Sequence, residues 1–242
     1  MKRFILLAVF AATCLSSTFL SAKAQVAYKQ NVNDFDRIEI YGDVYVEMAK
    51  ADSQTARVEA TGISKEDLDI SIEKQTLRIK LKPRIYNEID VKVFVTYRMI
   101  REIKTAGGAL LVVTDTINGD KLIVDALTSA TVRLQVDINN LELKAGQGAT
   151  ISVKGKVETL EASAGSKGLV AGYELIATKT FASCSLGGTL KIHPTDYLEA
   201  KANVGGAIYY INRPKQVKIS QNLGGKVEEV LSMEESSSQD SL

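Results

Sequence analysis

A repeat of about nineteen residues runs through the second half of this 242-residue chain, and it restricts the fold more than any other feature. One apolar series runs Ile103, Leu122, Leu141, Leu160, Phe181, Leu198 and Val217, at intervals of 19, 19, 19, 21, 17 and 19. A second runs Leu110, Val132, Ile151, Val170, Leu190, Ile208 and Val227, at intervals of 22, 19, 19, 20, 18 and 19. Two series that keep step over six periods mark repeated supersecondary units. Short stretches of small residues lie between them, among them Gly107-Gly108-Ala109, Ser129-Ala130-Thr131, Gly146-Gln147-Gly148-Ala149, Gly187-Gly188-Thr189 and Gly205-Gly206-Ala207. The flanking segments alternate apolar and polar, as in Val132-Arg133-Leu134-Gln135-Val136, which is the period of a half-buried strand. Each unit reads as strand, small-residue corner, strand, polar turn. Glycine suits such corners because they demand positive φ or close approach of stacked backbones.

A unit this short cannot bury its own apolar face, and stacking like units in parallel can. It is also too short for a crossover helix, lacks hexapeptide periodicity, and is half the length of a propeller blade. The expected fold is all-β: a parallel β-solenoid, read as a right-handed β-helix with about 19 residues per coil, covering 98–231. Residues 25–97 are β-rich but less regular. Asp36 to Val46 has the same strand, glycine, strand form, and alternating segments follow at Ala56–Ala60, Leu68–Ile72, Leu77–Leu81 and Ile89–Val95. Ser64 to Asp67 suggests one helical turn. We expect 25–97 to form the first coils or cap of the solenoid, and the Ser- and Glu-rich tail at 232–242 to be disordered.

The start of the chain carries an address. Lys2 and Arg3 precede an apolar run from Phe4 to Ala12, and Ala22-Lys23-Ala24 offers an A-x-A cleavage site, so 1–24 reads as a signal peptide. Removing Lys2, Arg3 and Lys23 from 30 basic residues leaves 27 against 29 acids, a net charge of −2. Such a balance argues against nucleic acid, and no later segment is long and apolar enough to span a bilayer. Cys14 has Ala11 where a lipid-bearing cysteine would favour leucine three residues earlier, so cleavage after Ala24 is expected, with lipidation at Cys14 the alternative. With Cys14 removed, Cys184 stands alone and reads as a small buried hydrophobe. One His and two Cys leave no zinc finger, haem motif or disulfide framework.

Phe35-Asp36-x-Ile38 with Gly42 and Val44, the recurring Gly-Gly corners, and Gly205-Gly206-Ala207-Ile208-Tyr209-Tyr210-x-x-Arg213-Pro214 resemble the putative auto-transporter adhesin, head GIN domain family. The resemblance spans Phe35 to Leu231. It implies an exported bacterial β-helical domain of unknown function and carries no catalytic residues over.

The chemistry-bearing residues are sparse. His193, beside Pro194, reads as a turn histidine, with nothing around it to mark an oxyanion hole. Glu142, Glu161 and Glu199 fall at one outward position, about 4.8 Å apart for adjacent coils. Lys144 and Lys201 stand two residues further on and supply compensation. Asn203 and Asn222 sit nineteen apart and suit a stacked amide pair. Tyr209, Tyr210, Asn212 and Arg213 form the densest aromatic and polar group, with one Tyr turned inward and one outward. No catalytic, metal or cofactor site is expected.

The sequence therefore points to an exported non-enzymatic domain, an adhesin or cell-envelope binding or scaffold protein. Its extended face would include Arg133, Ser152, Lys191 and Tyr209, and its partner would be a glycan or a surface protein. A secreted carbohydrate-active enzyme and a self-assembling, homo-oligomeric module are the alternatives. The compartment would be the periplasm, the outer-membrane surface or the extracellular space.

Overall fold

The computed structural model describes residues 25–230, so the signal segment, Cys14 and the tail from Ser232 lie outside the described residues. Sixteen strands form one continuous sheet wrapped into a parallel β-solenoid of about seven turns. The regular part comprises β9 (Leu110–Ala126), β10 (Thr131–Ala145), β11 (Thr150–Ala164), β12 (Leu169–Cys184) and β13 (Thr189–Asn203). Each bends midway, so its first half lies on one face and its second half on the other. Beyond β13, β14 (Ala207–Tyr210) on face one and β15 (Gln216–Asn222) on face two make the next coil, and β16 (Lys226–Glu229) begins a further one over β14 on face one.

The register gives the repeat its physical meaning. Val132 pairs with Ile151 and Leu141 with Leu160, nineteen residues on in both cases. Leu111, Val132, Ile151, Val170, Leu190 and Ile208 form one inward column, all fully buried. Opposite it run Leu122, Leu141, Leu160, Thr180 and Leu198, at most 2% exposed.

Of three residues assigned to the inward columns on spacing alone, two face outward and the third is buried in a different column. Leu110 is turned outward beside the buried Leu111. Ile103 pairs with Val124 rather than continuing the Leu122 column. Phe181 is 41% exposed, and Thr180 holds the inward place. Bulges cause two of these shifts. The register between β9 and β10 slips near Val112–Thr116, and that between β11 and β12 slips between Ala171 and Leu175. The β9 slip adds two residues, which lengthens that coil and pairs Ile103 with Val124 without changing which side faces in. The β12 slip adds one, which moves every following side chain to the opposite face.

The corners are tight turns. Leu127–Ala130, Gly146–Ala149, Gly165–Gly168, Ser185–Gly188, Asn203–Gly206 and Asn222–Gly225 each close with a hydrogen bond from the fourth amide to the first carbonyl, at 2.9–3.1 Å. Both central residues have positive φ, as at Gln147 (53°) and Gly148 (75°), which is the type I′ signature.

The N-terminal region is threaded rather than simply stacked. β2 (Arg37–Tyr41) and β3 (Tyr45–Lys50) form a coil between that of β8 (Glu102–Ala106) with β9 and that of β6 (Thr76–Leu81) with β7 (Asp90–Tyr97). Beyond it, β4 (Thr55–Thr61) and β5 (Leu68–Glu73) run antiparallel to β7 and β6, and β1 (Gln25–Asn31) runs antiparallel to β4. The expected helical turn is a 3-10 turn at Lys65–Asp67. Asp67 Oδ2 there accepts from the Ser64 N–H and hydroxyl, both at 2.8 Å, and pairs with Arg84. One core cluster runs without a break from Phe35 to Tyr210. No helix among the described residues is long and apolar enough to cross a membrane.

Candidate binding surface

Parallel stacking turns each outward sequence position into a row along the solenoid. On face one, Arg57, Phe94, Glu47, Val112, Arg133, Ser152, Ala171, Lys191, Tyr209 and Glu228 follow one another. Nine spacings make this row roughly 43 Å long. It brings Arg133, Ser152, Lys191 and Tyr209 together as the sequence implied. Tyr209 is the outward tyrosine and Tyr210 the buried one. Tyr209 lies under Lys226, whose Nζ is 5.3 Å from the ring centroid, and Asn212 and Arg213 are exposed in the bend that follows.

Face two carries the stronger constellation. Its central row runs Glu102, Ile123, Glu142, Glu161, Phe181, Glu199 and Lys218. Glu142 and Glu161 are adjacent, whereas Glu199 is separated from Glu161 by Phe181. A flanking row places Lys144, Ser163, Ser183 and Lys201 in line. Lys144 Nζ lies 2.5 Å from Glu142 and Lys201 Nζ 2.6 Å from Glu199, so the anticipated compensation is present. Tyr197 also donates its hydroxyl to Glu199 Oε2 at 3.1 Å. Hydrogen bonds from Lys144 and Lys201 hold the Glu142 and Glu199 carboxyls below the usual range. Glu161 forms no ion pair among the described residues.

Phe181 is the feature that spacing concealed. The bulge in β12 rotates it outward, and its ring meets Tyr197 at 5.7 Å between centroids and 52° between planes. Large side chains on one rung and the small Ser163 and Ser183 beside them leave a groove of about 230 Å³. Its walls are Glu161, Phe181 and Glu199, with Lys144 and Lys201 at the rim. A signal was present in the sequence: the 21 and 17 intervals around Phe181 are the largest departures in that series, and Thr180 would reduce them to 20 and 18.

The remaining candidates are structural in their contacts. His193 lies within β13, not in a turn, and its Nδ1 is 3.1 Å from the Tyr173 carbonyl in the β12 bulge. That contact requires the Nδ1–H tautomer and fastens two coils together. Asn222 Nδ2 donates to Asn203 Oδ1 at 3.2 Å, forming the stacked amide pair. Cys184 is buried, and burial pushes its thiol pKa up. Asp125, between Lys104 and Lys144 in the flanking row, is half-buried, and that burial raises its carboxyl pKa.

These features define a one-core parallel β-solenoid with rows of side chains on two outward faces. The sequence profile of the family described as "Putative auto-transporter adhesin, head GIN domain" matches residues 34–214, and the chain belongs to that family. Its fold is shared with a crystal structure described as a putative adhesin from Bacteroides fragilis, at TM-score 0.77 and 15% identity, covering 86% of this chain and 98% of that one. A putative adhesin from Parabacteroides merdae is similar at 0.70 and 21%, with 86% and 96% covered. A protein described as a putative lipid binding protein from Parabacteroides distasonis is similar at 0.65 and 17%, with 86% and 97% covered. Among curated proteins, none matches the sequence.

Proposed function

We propose that this chain is an exported, non-enzymatic binding domain that holds a glycan of the cell envelope or of a neighbouring surface along face two. The observation that carries the reading is Phe181, exposed in a row of carboxylates beside ammoniums and hydroxyls and packed against the half-buried Tyr197. An exposed ring can cover the apolar C–H face of a sugar, and Glu161 can accept its hydroxyl protons. Glu142 and Glu199 are held ionised by their lysines, and neither has the raised pKa that a general acid needs. A shallow groove on a long face favours affinity summed over several sugar units rather than deep enclosure. Membership of the adhesin-described family supports surface binding, and the leader-like first 24 residues support export.

The test is retention on an array of bacterial and host glycans and matrix proteins. Phe181→Ala should weaken glycan binding at least tenfold while Phe181→Tyr retains it. Equal binding by wild type and Phe181→Ala would remove the groove from the function. One observation favours the enzymatic alternative: Asp125, raised by burial, lies near Glu142, whose pKa is lowered, and such divergence can divide acid and base roles. Release of sugar from any glycan on the array, abolished by Asp125→Asn, would establish that reading instead.

A further inference from the structure

The two ends of the solenoid are finished differently. At the N-terminal end β4 and β5 reverse direction over the coil beneath them, β1 adds a further strand, and Gln30 Nε2 donates to the Ile70 carbonyl to link the two sides. At the other end Gln221 Nε2 likewise donates to the Val227 carbonyl, at 3.3 Å, but no described strand reverses over the last coil. β15 pairs only with β13, and β16 only with β14. Val217 and Ile219 continue columns whose preceding members, Leu198 and Ala200, are fully buried, yet they are 39% and 43% exposed.

The open edge has a defined hydrogen-bonding pattern. Lys215 donates its amide to the Thr195 carbonyl, so alternate residues 217, 219 and 221 serve β13. Gln216, Lys218, Ser220 and Asn222 therefore turn their amides outward. Lys226 and Val230 donate to Gly206 and Tyr210, which leaves the amides of Val227 and Glu229 outward. Such an edge is a template for another strand.

We propose that this end is a homodimer interface in which two copies meet end to end about a twofold axis, β15 antiparallel to β15 and β16 antiparallel to β16. The outward amides restrict the register. Centring β16 on Val227 sets Val227 against its copy and Lys226 of each chain across from Glu228 of the other. Centring β15 on Ile219 sets Ile219 against its copy and Lys218 across from Ser220, with no like charges opposed. Ile219 and Val227 each lie four residues from Leu223 at the corner, so they stand opposite one another across the core. One axis passes through both. The columns ending in Ile219 and Val227 then run on from one copy into the next, with Gln221 set against Val217 and Glu229 against Gly225 of the other chain, and closed twofold symmetry ends the assembly at two. Face two also becomes continuous, placing the two Phe181 rings about 24 Å apart, five strand spacings, on one surface. The gain in avidity rests on the glycan reading; the dimer does not.

Sedimentation of the chain from Gln25 to Leu242, across micromolar concentrations, tests this. A monomer–dimer equilibrium is expected. Ser220→Pro removes an amide that β13 does not use, and Ile219→Lys places a charge that a lone copy can turn to solvent. Each should weaken association at least tenfold while preserving the far-ultraviolet circular dichroism of the monomer. A chain that stays monomeric throughout, a dimer indifferent to both variants, or growth into longer polymers would overturn the proposal. So would a dimer that appears only when 232–242 are deleted, because the tail would then be the occupant of this end. Glycan binding lost in Phe181→Ala with the dimer intact would separate the two readings.

Discussion

Thr180 is fully buried in a column otherwise made of leucines, and its hydroxyl has no hydrogen-bond partner among the described residues. A buried, unpaired hydroxyl costs about 1–3 kcal/mol. Thr180→Val keeps the shape and removes the orphan, so it should stabilise the fold by about 1 kcal/mol in urea unfolding. A loss of stability would show that the hydroxyl is satisfied. The same position explains a limit of sequence reading. Phe181 is the more apolar residue and nearly keeps the period, so composition favours it for the core. The backbone slip in β12 settles the matter, and it exposes the ring that the candidate site needs. Glu142, Glu161, Glu199 and their lysines were legible because they fall on regular spacing; Phe181 and Tyr197 were not, because their meeting depends on the bulge.

At the scale of the element, the corners use small residues for two separate reasons. Gly205 has φ of +69°, and an added Cβ would meet nothing within 4 Å. Gly206 is outside the positive-φ region, but a Cβ there would lie 2.6 Å from the Cys184 carbonyl carbon. Of the two reasons for a corner glycine, positive φ applies at Gly205 and close approach at Gly206. Gly205→Ala should cost about 1 kcal/mol, the ordinary left-handed penalty. Gly206→Ala should cost more, because two coils must separate, and Gly206→Val more again. Equal losses for the two alanine variants in denaturant titration would refute this division. The adjacent glycines look alike in sequence because only the neighbouring coil, about twenty residues away, distinguishes them.

For the whole molecule, the decisive property is the unbroken core. Ile151 lies in its middle, fully buried. Ile151→Asp places an unpaired charge in a dry stack, which costs several kcal/mol even after the carboxyl protonates. Because the cluster continues from Phe35 to Tyr210, the loss should reach the N-terminal strands as well. Hydrogen exchange should find protection lost in β2 and β3 together with β10 and β11. Persistent protection in β2 and β3 would instead mark an independently stable cap, as a quasi-one-dimensional array allows.

The sequence alone determined the coil length, the strand alternation, the small-residue corners and the inward columns of the central coils. A short repeated unit has one economical way to bury a stripe of apolar residues, which is to lie on its own copy. Tertiary structure decided the threading of β2 and β3 between later coils, the outward turn of Phe181 and the difference between the two ends. Those features depend on pairing between segments that share no period, and on single-residue slips whose effect exists only once a neighbouring strand fixes which side is inside.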